Sequence, residues 1–185
     1  MTERTDLITA LDRHRGFLLQ TAMNLTEDQA RAASTVSALT VASILKHVAD
    51  TEEQWMAFAA KGAEAFGGAG AYESDVDWDA VAAGAATETG GEGESGWIDD
   101  RFTLTDADTL EALRARVGKV AAATASFIET ADLDVARPLP EAPWFEQGAT
   151  WSVRRVVLHM LAEISQHSGH ADIIRETIDG ARTMG

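Results

Sequence analysis

No cysteine occurs in the 185 residues, so no disulfide framework holds the fold, and any thiol chemistry has to use a thiol brought from outside. Proline occurs only at Pro138, Pro140 and Pro143, which leaves long stretches without a helix breaker. No apolar run approaches the roughly 20 residues that a membrane-crossing helix needs. The charged start, MTERTDLITALDRHRG, lacks the apolar core and small-residue cleavage site of a signal peptide. These absences set the expectation of a cytoplasmic chain with no membrane partner. Positive charge is scarce as well: 15 Lys and Arg face 30 Asp and Glu, a formal net charge of −15. A surface of that sign repels phosphate backbones, which argues against nucleic acid as a partner.

What is present is helical periodicity. Residues 6–24 carry Leu7, Ile8, Leu11, Phe17, Leu18 and Met23 at mostly helical spacing, predicting a first amphipathic helix that ends near Asn24. Thr26 to Gln29 has the pattern of a capping box and marks a short helical turn. From Thr40 to about Lys61, Val41, Ile44, Leu45, Val48, Trp55, Met56 and Ala59 recur at three- and four-residue steps and predict a second long helix. Thr105 to about Thr130 predicts a third, with Thr105 as its N-cap. Trp151 to Ile178 predicts a fourth, closed by Gly180 where a left-handed C-cap residue is expected.

Residues 62–100 contain no Lys or Arg, many acids and glycine pairs, and predict a long acidic excursion between the second and third helices, bounded at 62–104. Tyr72, Trp78 and Trp97 within it predict short helical pieces packed over one end of the bundle. Pro138 to Gly148 predicts an irregular connection, with Trp144 and Phe145 covering the open end. No repeat and no strand pattern is found. The expected fold class is all-α, a four-helix bundle with one long insertion, in a single domain of residues 1–185.

Polar residues capable of chemistry gather on the last helix. At about 100° per residue and with His159 at zero, His170 falls near ~20°, Glu163 near ~40° and His167 near ~80°, while the apolar stripe centres near ~115°. His167 is therefore expected inside the buried stripe and Glu163 at its edge, with His159 and His170 nearer solvent. A carboxylate and an imidazole four residues apart can converge on one ion. His47, the one histidine of the second helix, would complete a set of two nitrogens and one oxygen if those helices are neighbours. The plainer reading of such a pair is a surface or half-buried contact, and of His47 a satisfied core histidine. His14, in Asp12-Arg13-His14-Arg15, reads as solvated. Trp55, Trp144 and Trp151 read as core or lid packing.

Ser37-Ala38-Leu39-Thr40, Ile44-Leu45-Lys46-His47-Val48-Ala49-Asp50 and Glu53-Gln54-Trp55 resemble the second-helix motif of DinB/YfiT-like proteins. Val157 to Glu163, Gln166 to Glu176 and Ile178-Asp179-Gly180 resemble the closing motif of an actinobacterial-type branch of that superfamily. The resemblance covers nearly the whole chain, least well the acidic insertion. It implies a DinB-like bundle in which one histidine of the second helix and two residues spaced by four on the last helix hold a metal: His47, Glu163 and His167. Glu at the first of the paired positions is similar to the N-terminal domain of mycothiol-dependent maleylpyruvate isomerase, where a His, Glu, His set binds zinc. Zinc is accordingly the expected ion, with nickel, iron and manganese also compatible with two nitrogens and one oxygen.

The expected activity is that of a metal-dependent transferase or isomerase using a low-molecular-weight thiol such as mycothiol on a small-molecule substrate. A metal-dependent hydrolase and a non-catalytic metal-binding or stress-response module are the alternatives. His159 and His170 are expected to orient a ligand or line the mouth, and Arg175 to pair with a substrate carboxylate or else with Asp172 or Asp179. Some superfamily members are dimers, and the sequence leaves a homodimer open.

Overall fold

The computed structural model describes residues 2–66, 102–142 and 145–183. Helix α1 (Glu3–Thr21) starts where the Thr2 side chain accepts from the Thr5 amide. It stops three residues earlier than the periodicity suggested, because Asn24 turns to a left-handed φ of 60°. Helix α2 (Glu27–Arg31) begins with the capping box read from the sequence, Thr26 and Gln29 exchanging side-chain and backbone bonds. Helix α3 (Val41–Lys61) opens on a second box between Thr40 and Ser43 and closes at Gly62, φ 92°. A single 3₁₀ turn, Ala63–Phe66, follows.

Helix α4 (Leu110–Thr130) starts later than expected. Thr105 does not cap it: the Thr105 amide and hydroxyl both donate to Asp108 within a turn, and Thr109 is the N-cap. Two strands, β1 (Ala136–Pro138) and β2 (Thr150–Ser152), pair antiparallel with Arg137 opposite Trp151. Each is three residues long, too short for an alternation to register in the sequence. Helix α5 (Val153–Asp179) follows β2 directly. The Val153 and Arg154 amides donate to the carbonyls of Val135 and Leu133, and the Ser152 hydroxyl accepts from Arg155, so the opening amides of this helix are satisfied. Gly180, φ 78°, ends it in the left-handed conformation.

The fold is the all-α bundle expected, with four long helices around one contiguous apolar cluster. Helix α5 packs against α1 and α3, and α4 packs against the same two from the other side. This ring makes α3 and α5 neighbours, the condition for His47 to meet the histidines of the last helix. Among the described residues, no helix is long and apolar enough to cross a membrane. Most of the acidic insertion, with Tyr72, Trp78 and Trp97, lies outside the described residues, as does Trp144.

Polar residues also enter the core. Glu52 is 1% exposed and Arg15 3%. The Arg15 Nε donates to Glu52 Oε2 at 3.0 Å and its Nη2 to Glu52 Oε1, while the Thr124 hydroxyl donates to that same Oε1 at 2.6 Å. Asp12 accepts from Arg15 Nη1 at 2.8 Å. The cluster ties α1, α3 and α4 together with its donors and acceptors matched, as a buried ion pair requires.

Candidate metal centre

His47 lies on the second turn of α3 and is buried, its Nε2 3.5 Å from the Thr51 hydroxyl one turn on. On α5, one turn separates Glu163 from His167, whose Nε2 is 3.6 Å from Glu163 Oε2. The two helices bring the His47 and His167 rings to 4.6 Å between centroids. One ligating atom from each of His47, Glu163 and His167 lies within 4.8 Å of the others. Donors around a tetrahedral zinc stand about 3.4 Å apart, so side-chain adjustments of about an ångström would let the three share an ion.

The donor set fits a divalent cation on two further grounds. Among the described residues the His167 Nδ1 is buried without a hydrogen-bond partner, a costly condition for an imidazole outside some larger arrangement. The Glu163 carboxyl is held below its ordinary range, first by the His167 imidazole 3.6 Å away and further by the charges of His159, His167 and His47, which together outweigh burial. The ionised carboxylate is the form that ligates a cation.

Aromatic rings enclose the centre. Phe102 lies flat on the His47 ring, centroids 3.9 Å apart and planes within 9°, and stands 6.0 Å from His167. His159 meets the edges of Trp55 at 4.7 Å and Trp151 at 5.2 Å, and those two indoles stack on each other. Its Nε2 is 4.0 Å from Glu163 Oε1. His159 lies nearer solvent than His167, as expected, its side chain 28% exposed against 12%; strand β2 nevertheless carries Trp151 against its flank, and partial burial lowers the imidazole pKa, favouring the neutral form. His170 sets its ring against the edge of His167 at 5.5 Å, its Nδ1 buried and, among the described residues, unpartnered.

Arg175 stands apart from this group. Its fork pairs with Asp179 at 2.7 and 2.8 Å, and its Nη1 donates to the carbonyls of Thr21 and Met23, so it fastens α5 to the end of α1. The substrate-carboxylate role is corrected to the alternative pairing, because the guanidinium is buried and its donors are already engaged. Phe102 was missed in the sequence, where a lone aromatic after an acidic stretch has no periodicity to mark it. Glu52 left a signal: it stands between Val48 and Trp55 at the four- and three-residue steps of the buried stripe.

A helical bundle that gathers an imidazole, a carboxylate and a second imidazole from two neighbouring helices is a bundle of the DinB-like class. Within it, a family model described as mycothiol-S-transferase matches residues 6–180, and the chain belongs to that family. No curated protein and no solved structure gives a match.

Proposed function

We propose that the protein is a metal-dependent mycothiol S-transferase of the cytoplasm, a single domain that joins the sulfur of a low-molecular-weight thiol to a small electrophilic substrate. The observation that carries this reading is the convergence of His47, Glu163 and His167 in a cysteine-free member of that family. These three would hold a divalent ion, zinc by the preference of two nitrogens and one oxygen. Such an ion supplies the positive charge that keeps a bound thiol ionised, and hence nucleophilic, at neutral pH.

The chain's own residues supply the rest. His159, its neutral form favoured by burial and its Nε2 4.0 Å from Glu163, would accept the thiol proton at a ring nitrogen. His170 braces the edge of His167 and fixes its ring, a positioning role. Phe102 holds the His47 ring flat and excludes water from that side, which strengthens every charge interaction inside. Arg175 takes no part.

The test is a titration of the cobalt-loaded protein with mycothiol, followed by an electrophile that becomes fluorescent on S-conjugation. A thiolate-to-cobalt absorption band and enzyme-dependent conjugate are expected. No band at millimolar thiol, together with no conjugate above the uncatalysed rate, overturns the reading.

A further inference from the structure

Helix α5 presents a second face against which, among the described residues, the bundle does not pack. Leu158 stands nine residues before His167, which at about 100° per residue puts it half a turn round the helix from the metal centre. On that outer side Leu158 is 48% exposed and Ile173 62%. Ala162 and Gly169 between them are exposed too, and a Cβ built on Gly169 meets no atom within 4 Å. A glycine in the interior of an exposed helix costs about 1 kcal/mol relative to alanine. Among the described residues, nothing packs close enough to require one.

The order of residues on this face is self-complementary. Counted outward from the boundary between Ser165 and Gln166, Ala162 mirrors Gly169, Leu158 mirrors Ile173, and Arg155 mirrors Glu176. The steps between successive positions are three or four residues on either side of a central step of seven, about two turns, a spacing that keeps a seam on one side of a helix and suits packing at a shallow crossing angle. In a two-fold contact residue i meets j and j meets i. An antiparallel pair of such helices would therefore set small against small, Leu158 against Ile173, and a cation against an anion at both ends.

We propose that this face docks on the same face of a second copy of the chain, the two α5 helices antiparallel about an axis passing between Ser165 and Gln166. Charge complementarity decides the occupant. A chain of net charge −15 repels its own copy at most surfaces, whereas here the self-contact places Arg155 opposite Glu176. Arg155 lies over the Trp151 ring at 4.5 Å, and Glu176 pairs with the exposed Arg182 at 2.9 Å. Both side chains stay exposed and have room for a second partner. The seam spans about 31 Å at ~1.5 Å per residue, so the contact lies at the small end of stable interfaces, and micromolar association is expected. The inference is independent of the proposed activity, since the metal centre faces the other way.

Sedimentation velocity at about 100 μM protein tests it. The wild type is expected to be a dimer, Arg155→Glu and Glu176→Arg each to weaken association at least about tenfold, and the double reversal to restore it. A second test uses the absence of native cysteine. The double variant Ala162→Cys, Gly169→Cys should oxidise to a covalent dimer. Ala162→Cys alone should not, because the two-fold sets its copies about 10 Å apart along the seam, beyond the ~7 Å that a disulfide bridges. A monomeric wild type, a dimer indifferent to the charge reversals, or cross-linking of Ala162→Cys alone overturns the proposal.

Discussion

Two polar clusters sit in this bundle, and they are built on opposite plans. In the cluster of Arg15, Glu52 and Thr124 the carboxylate faces a guanidinium fork and a hydroxyl, so charge and hydrogen-bonding capacity are matched inside the protein. In the cluster of His47, Glu163 and His167 the side chains are all potential electron-pair donors, and no Lys or Arg appears among the causes that hold Glu163 ionised. The first arrangement is complete as it stands. The second gathers atoms that could ligate a cation. Burial of polar groups therefore has two meanings here, and the inventory of partners tells them apart.

The sharpest way to break the contrast is to remove half of the matched pair. Glu52→Leu leaves the Arg15 charge buried without its carboxylate and should cost about 3–5 kcal/mol in urea unfolding, whereas adding Arg15→Leu should recover a large part of the loss. A loss below about 1 kcal/mol for the single change would show that the cluster does not hold the helices. At the other cluster, zinc at about 100 times its dissociation constant should stabilise the wild type by about 2.7 kcal/mol. His167→Ala should lose most of that increment while its metal-free melting changes far less than that of Glu52→Leu. Equal zinc-dependent shifts in the two proteins would remove the metal from the account.

Smaller effects sharpen the same picture. Thr124→Val deletes one hydroxyl from the matched cluster and should cost about 1–2 kcal/mol by the same unfolding assay, because Glu52 loses a buried donor. Glu27 accepts from the Leu110 amide at 2.9 Å and so caps α4 from another helix. That bond, more than its ion pair with Arg31, lowers the Glu27 pKa from its ordinary 4.5. A carboxyl with a depressed folded pKa contributes stability that is present at neutral pH and is lost as the pH falls below about 4.5. Glu27→Gln should therefore cost at most about 1 kcal/mol at pH 7, little for a side chain so exposed, and the difference from wild type should shrink on acidification. A difference that grows with acid would contradict the assignment.

The sequence and the structure agree most closely where a local rule dictates the outcome. The Thr26 box, the Gly180 cap and the four apolar stripes each depend on residues within one or two turns. The convergence of His47 with Glu163 and His167 depended on which helices are neighbours, a tertiary fact that periodicity does not contain. The family resemblance supplied it. Trp151 was placed in a helix, because its β2 pairing is made with a strand 14 residues earlier that carries no pattern of its own. Arg15 went unread, since its run of charged neighbours masks a position whose partner lies 37 residues away. Glu52 also went unread, although a carboxylate on an apolar stripe signals a buried partner even when the partner cannot be named.

The account rests on a cation shared by His47, Glu163 and His167, and calorimetric titration of the metal-free protein with zinc addresses that most directly. One ion per chain is expected for the wild type, with at least about 100-fold weaker binding for Glu163→Gln, an isosteric change that keeps the shape and removes the charge. Absence of binding by the wild type, or the same affinity in both proteins, would contradict it.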